Sequence, residues 1–442
     1  MKSSVKPNVL VFFTDQQRWD TCGCYGANPM DLTPCLDEMA SRGALARYSF
    51  TCQPVCAPAR ACLQTGTYAT QNGVVHNGCG LRAGQRTLAH AFRDAGYFTG
   101  YIGKWHLALT GEKPVPVDRR GGYDDYWTAA DILEFVSQPY DLRMFDADCQ
   151  QVHRPGYRVD AQTDLLLELL EDRSKDPDQP FFVVCSYLEP HHQNDAGHFV
   201  GPNGSADRFQ SPYVPGDLSA LTGDWAGELP DYYGACASLD ENLGRVLGFL
   251  EDRGLDERTV VLFCSDHGSH FRTRNGEYKR SCHESSIRVP TVIQGPGFDG
   301  GGVIEELVSL VDWSATLLDC AGIPIPVEMM GHSLLTLLDG RAKEWPREVF
   351  VQISESQIGR AIRSHRWKYG VNAPGKDGWA EPGSDMYLEQ YIYDLENDPH
   401  ELENLAGQQA IRRVADELSD TLKRRMVAAG ERRPEIRPAV SA

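Results

Sequence analysis

The run Cys56-Ala57-Pro58-Ala59-Arg60, followed by Leu63, Thr65 and Gly66, sets a thiol close to a guanidinium in a short segment. By itself such a cysteine reads as a small buried thiol. Other reactive side chains stand just after short apolar runs. Asp15 follows residues 9–13, Lys104 and His106 follow 98–102, His191 follows 181–186, and Asp266 and His267 follow 260–264. Ligands in open α/β sheets bind beyond the carboxyl ends of the strands, so these residues are expected to meet in one crevice. A single strand-end aspartate is commonly a helix cap, and a single histidine is commonly a bystander. Four strand ends that behave alike point to a shared site. Carboxylates there can hold a hard cation, lysines can bind an anion, and imidazoles can move protons.

The elements that must carry these groups are legible as well. Runs 9–13, 98–102, 181–186, 260–264 and 289–294 are dense in Val, Ile and Phe without strict alternation, which predicts parallel strands covered on both faces. Leucines at 165, 166, 169 and 170 predict a helix over 161–173. Leu239, Leu243, Val246, Leu247 and Leu250 predict another over 235–253, stopped by Gly254, and a third spans 307–320. Strands alternating with helices give an α/β sandwich around a mainly parallel sheet. The tail differs. Short strand-like pieces at 349–353, 360–363, 367–371 and 391–394, then a helix over 410–428, predict a small antiparallel sheet with a terminal helix. The expected division is a catalytic unit over 1–345 and a C-terminal subdomain over 346–442.

At 442 residues the chain exceeds what one core usually organises, which fits that division. Its net charge of -19 argues against nucleic acid or an anionic membrane as a partner. A site for an anion must therefore carry its own positive charge. Residues 1–7 are polar and the run 9–13 is too short for a signal or membrane segment, so a soluble, cytoplasmic protein is expected. Thirteen cysteines, an odd number, fit reduced thiols. Paired CxxC knuckles are absent, which argues against structural zinc. No oligomeric state is read from the residues.

The Cys-x-Pro-x-Arg run with its following Thr65-Gly66 resembles the signature of the type I sulfatases of the alkaline phosphatase superfamily. Residues 8–16 are similar to the family's first strand with its metal-binding acidic pair, and Gly103 to His106 to its Lys-x-His element. Asp266-His267-Gly268 resembles the second metal element, and Lys279 stands where the family keeps a lysine. The likeness runs from about Pro7 to Leu405. It implies that a maturation enzyme oxidises Cys56 to formylglycine, whose hydrate attacks a sulfate ester and later expels sulfate by collapsing to the aldehyde.

The resemblance also implies roles. Asp15, Gln16, Asp266, His267 and the hydrate oxygen at Cys56 would hold one divalent cation, with calcium expected and magnesium or manganese as alternatives. Gln16 and His267 depart from the commonest pattern, an acid and an asparagine. Lys104 and Lys279 would bind sulfate oxygens, and Arg60 would brace the hydrate. Asp266 would take the attacking hydroxyl's proton, His191 would protonate the leaving alcohol with help from Lys279, and His106 would trigger elimination. Asn77, His192 and Asn194 are expected near the substrate. The aromatic-rich stretches 123–157 and 192–225 would wall the pocket, suiting a sulfated carbohydrate or an aryl sulfate. Two rivals stay open: a phosphonate or phosphodiester hydrolase on the same scaffold, favoured by Gln16 and His267, and a non-catalytic protein binding sulfated ligands through an unmodified Cys56.

Overall fold

The computed structural model describes residues 6–342 and 344–440. Ten strands form the main sheet: β1 (Asn8–Thr14), β2 (Ala44–Phe50), β3 (Phe98–Lys104), β4 (Tyr126–Ala130), β5 (Asp141–Phe145), β6 (Gln151–Pro155), β7 (Phe181–Ser186), β8 (Thr259–Ser265), β9 (Thr291–Gln294) and β10 (Gly302–Ser309). Their order is β10-β2-β9-β8-β1-β7-β3-β4-β5-β6. The central five, β8-β1-β7-β3-β4, are all parallel.

Strand β1 shows why this sheet is buried on both sides. Successive side chains point to opposite faces. Val9, Val11 and Phe13 join the core that includes helices α1 (Cys56–Thr65) and α4 (Leu310–Cys320). Leu10 and Phe12 join the core formed with α2 (Arg158–Ser174) and α3 (Trp225–Asp252). Phe12 is stacked between Tyr187 and Phe263, at 4.4 and 5.5 Å.

Several expectations change in detail. Strand β9 runs antiparallel to both β8 and β2. Residues 307–309, expected to open a helix, end β10 instead, because Ser309 caps α4 through a reciprocal bond with Asp312. Strand β2 is missing from the sequence reading. Its Ala-Leu-Ala-Arg start has no strand preference, and pairing with β9 and β10 decides it. Stretch 123–157 is no simple loop, since it holds β4, β5, β6 and a short helix, Leu133–Val136. Of the rings expected to wall a pocket in the two aromatic stretches, Trp127, Tyr157, Phe199 and Phe209 lie in the core, while Tyr140 is exposed.

The tail forms a second sheet of β11 (Glu348–Ile353), β12 (Gly359–Ser364), β13 (Trp367–Asn372), β14 (Met386–Asp394) and β15 (Glu435–Arg437), in that order. The first four are antiparallel, while the edge strand β15 is parallel to β14. Phe350 and Ile362 face helix α5 (Arg412–Ala428), whose Ala415, Leu422 and Met426 cover them. Val349, Val351 and Ile353 turn the other way, onto Phe50, Ile287 and Leu307 of the main body.

Charge completes the joint. Lys368 of β13 is fully buried and pairs with Glu284 at 2.8 Å and Glu401 at 2.6 Å. Arg363 also pairs with Glu284. Burial raises the Glu284 carboxyl, but Arg363 and Lys368 together hold it below the usual range. Removing one partner of a buried pair leaves an uncompensated charge. Lys368→Met is therefore expected to cost about 3–5 kcal/mol, read as a lower denaturant midpoint. An unchanged midpoint would show that this cluster does not hold the two sheets together.

Candidate active site

Four adjacent strands, β8, β1, β7 and β3, end on one side of the sheet. They deliver Asp266, Asp15, His191 and Lys104 to one place, as the sequence predicts. The close approach needs a special backbone. Gly103 has φ +104, and a Cβ there would lie 2.0 Å from the Ser186 carbonyl oxygen, so only glycine lets β3 reach Lys104 past β7. Gln16 and His106, at φ 66 and 58, hold the left-handed conformation that non-glycine residues rarely adopt. Such strain gathers at functional sites.

Cys56 is the first residue of α1, a helix in which every residue is buried. Its N-terminal end carries unpaired N–H groups and the positive end of the helix dipole. Asn77 accepts the Ala57 N–H through Oδ1 at 3.1 Å, which commits that oxygen to holding the helix end. Cys56 Sγ lies 3.6 Å from Asp15 Oδ1, 3.4 Å from His267 Nε2 and 2.9 Å from Lys279 Nζ. Burial pushes this thiol up. The charges of Lys104 and Lys279, first among its neighbours, outweigh it and hold the thiol well below its ordinary range.

Arg60, one helical turn on, ties the site together. It donates to Asp15 Oδ2 at 2.8 Å, Asp266 Oδ2 at 3.3 Å, Ser186 Oγ at 2.6 Å and the Lys104 carbonyl at 2.9 Å. It thus braces the two acids rather than the Cys56 side chain. Lys104 donates to Asp15 Oδ2 at 2.8 Å and to Glu134 at 3.1 Å. Burial and the Cys56 charge raise Asp15, but Lys104, His191 and Arg60 hold its carboxyl below the usual range. Asp266 goes the other way. Its own burial and the neighbouring Asp15 keep it raised, against His267 and Arg60.

Asp15, Cys56, Asp266 and His267 present donor atoms within 4.8 Å of one another, all buried. His267 Nδ1 faces the Gly268 carbonyl at 3.0 Å, which places the proton there and leaves the Nε2 lone pair for the cluster. Two carboxylates and an imidazole freed in this way suit a divalent cation. Gln16 stands beside them. Its N–H donates to Asp266 Oδ1 at 3.1 Å and its amide to Ser269 Oγ at 3.3 Å, so its Oε1 is what it can offer a cation.

Lys279 Nζ is 3.2 Å from His191 Nε2 and 3.0 Å from His267 Nε2. Among the described residues it forms no ion pair with a carboxylate, so its charge is available to an anion. His192 is not drawn into this cluster. It stacks on Tyr278 at 4.4 Å and meets Phe199 edge-on at 5.3 Å, within an aromatic core. Asn194 is exposed on the loop beyond.

Two residues of the site escaped the sequence reading. Glu134 follows β4, a strand lost in a stretch read as loop, and its place just past a strand end was the available signal. Glu355, buried in the turn after β11 with φ 64, accepts the Asn77 N–H at 2.7 Å and pairs with Arg280, next to Lys279. Nothing local in its sequence marks it.

A family model for sulfatases matches residues 7–323, and one for the C-terminal part of N-sulphoglucosamine sulphohydrolase matches 276–428. An ulvan-active sulfatase of Formosa agariphila is 30% identical over 96% of this chain and 82% of its own length. The crystal structure of yidJ from Bacteroides fragilis shares the fold with a TM-score of 0.83, at 23% identity, over 98% of this chain and 97% of that one. Another, solved with its substrate D-glucosamine-2-N,6-O-disulfate, gives 0.78 at 22% identity over 96% and 98%. The chain belongs to the sulfatase family of the alkaline phosphatase superfamily and is a sulfuric ester hydrolase.

Proposed function

We propose that this enzyme hydrolyses sulfate monoesters of carbohydrates, using a formylglycine made from Cys56 by a maturation enzyme, and that aryl sulfates serve it as artificial substrates. The observation that carries the reading is the setting of Cys56 Sγ, between Asp15, His267 and Lys279 at the start of a buried helix. The saccharide class is supported by relatives that act on ulvan or bind a sulfated glucosamine.

Asp15, Asp266, His267 and Gln16 would hold one divalent cation, calcium first, with magnesium or manganese as alternatives. The bound cation would polarise the nucleophile and neutralise one sulfate oxygen. Formylglycine would supply a hydrate able to attack sulfur and then release sulfate without water attacking a crowded anion. The chain's own groups do the rest. Lys279, with no carboxylate partner among the described residues, offers its charge to the sulfate, and Lys104, shared between Asp15 and Glu134, offers a second contact on the side of β3. These cations give the acidic protein its local anion site.

Proton transfer follows from the contacts. His191 Nδ1 faces the His192 carbonyl at 2.6 Å, which leaves Nε2 to accept from Lys279. The Lys279–His191 pair is thereby placed to hand a proton to the departing alcohol. Asp266 would take the attacking hydroxyl's proton. His106, close enough to residue 56 to help lower its thiol, would serve the release step. His192 and Asn194 lie outside the cluster around Cys56. Asn77 acts by fixing the end of α1.

Cys56→Ser is expected to lose turnover of 4-nitrophenyl sulfate by orders of magnitude while keeping the wild-type melting temperature. Peptide mass spectrometry of residues 52–66 from the wild type should show the aldehyde, and retained turnover in the variant would reassign the nucleophile. His106→Ala should lower kcat about 10²–10⁴-fold and show a burst of alcohol before a slow steady state. A slow rate without a burst would move His106 out of the release step. Chelation should abolish activity and lower the melting temperature, with calcium restoring both better than magnesium or manganese. Full activity after exhaustive chelation would remove the cation from the reading.

A further inference from the structure

Trp379 lies in the segment joining β13 and β14 and is 49% exposed, unlike most large rings of this chain. Two neighbours fix its place relative to the reacting centre. The His76 ring, 5.7 Å from the indole, immediately precedes Asn77, which holds the end of α1. The Arg280 guanidinium, 5.8 Å from the indole centroid, immediately follows Lys279, whose Nζ touches Cys56 Sγ. The indole therefore touches two residues, each of which is the sequence neighbour of a residue that holds or contacts Cys56.

Its position is fixed rather than floppy. Glu355 donates its N–H to the Gly378 carbonyl at 3.0 Å, and a Cβ at Gly378 would meet the Glu355 nitrogen at 2.8 Å. The Trp379 backbone N–H donates to Asp377 Oδ1 at 2.9 Å. A ring carried on a backbone held like this can be covered by a ligand at a reduced cost in lost motion. Charge at the patch does not favour a second sulfate. Arg280 is already paired with Glu277 at 2.6 Å and with Glu355, so it has no free charge for a second sulfate. What the patch offers is a flat aromatic face with polar groups at its edge, which suits the C–H face of a sugar ring.

We propose that Trp379 is a specificity-determining residue that stacks the sugar ring next to the one bearing the ester. The sulfated ring would fill the space beside His191 and Lys279, and Trp379 meets the following ring. The enzyme then favours sulfated saccharides of two or more rings. This rests on the carbohydrate reading above.

The test compares wild type, Trp379→Ala and Trp379→Phe on three substrates: 4-nitrophenyl sulfate, sulfated monosaccharides, and disaccharides carrying the same sulfated rings. Trp379→Ala should lower kcat/KM for the disaccharides about tenfold, mainly through KM. It should leave the other two substrates and the melting temperature near wild type, and Trp379→Phe should keep most of the disaccharide preference. An equal loss on all three substrates would make Trp379 merely structural and overturn the proposal. Unchanged disaccharide turnover in Trp379→Ala would overturn it while the carbohydrate reading stands. Wild-type enzyme that turns over 4-nitrophenyl sulfate and no saccharide would end the carbohydrate reading and this proposal together.

Discussion

Everything at the carboxyl end of this sheet depends on one guanidinium. Arg60 is 2% exposed, and it bonds Asp15 and Asp266 from adjacent strands while also holding Ser186 and the Lys104 carbonyl. Two carboxylates, each without solvent, cannot stand side by side unless cations share their field. Arg60 and Lys104 supply it for Asp15. Asp266 receives less, and its carboxyl is correspondingly raised. The same imbalance that would destabilise an ordinary core makes this one receptive to a cation. Structural and chemical demands are met by the same few atoms.

The parallel sheet is the means by which distant residues meet. Asp15, Lys104, His191 and Asp266 are spread over most of the main body's length, yet they leave four neighbouring strands. The nucleophile arrives differently, at the head of a helix, and residues on both sides of the joint keep that head in place. Asn77 holds the Ala57 N–H, and Glu355 of the tail holds Asn77. The tail is therefore part of the site's support.

Much of this was legible beforehand. Strands β1, β3, β7 and β8 announce themselves as apolar runs, and the titratable residues just beyond them carry the site. What stayed hidden had no local signal. β2 begins with residues of no strand preference and is decided by its partners. Glu134 was obscured with the strand that precedes it. The aromatic stretches suggested pocket walls because rings suit both ligands and cores, and burial alone distinguishes the two. Trp127 and Phe199 went to the core. Glu355 acts through a left-handed turn that no residue preference forecasts. His192 followed its ring into an aromatic cluster, while its neighbour His191 kept its place beside Lys279.

The loop that presents Lys279 is anchored from the far end of the chain. Arg274 donates to the carbonyls of His400 and Glu401, and the Glu401 carboxylate accepts the Glu284 N–H. During synthesis, the strands bearing Asp15, Lys104, His191 and Asp266 leave the ribosome long before these anchors exist. Competence is thus acquired near the end of translation, and a polypeptide cut short before residue 400 would carry every reacting group yet lack the anchors that hold Lys279 in place.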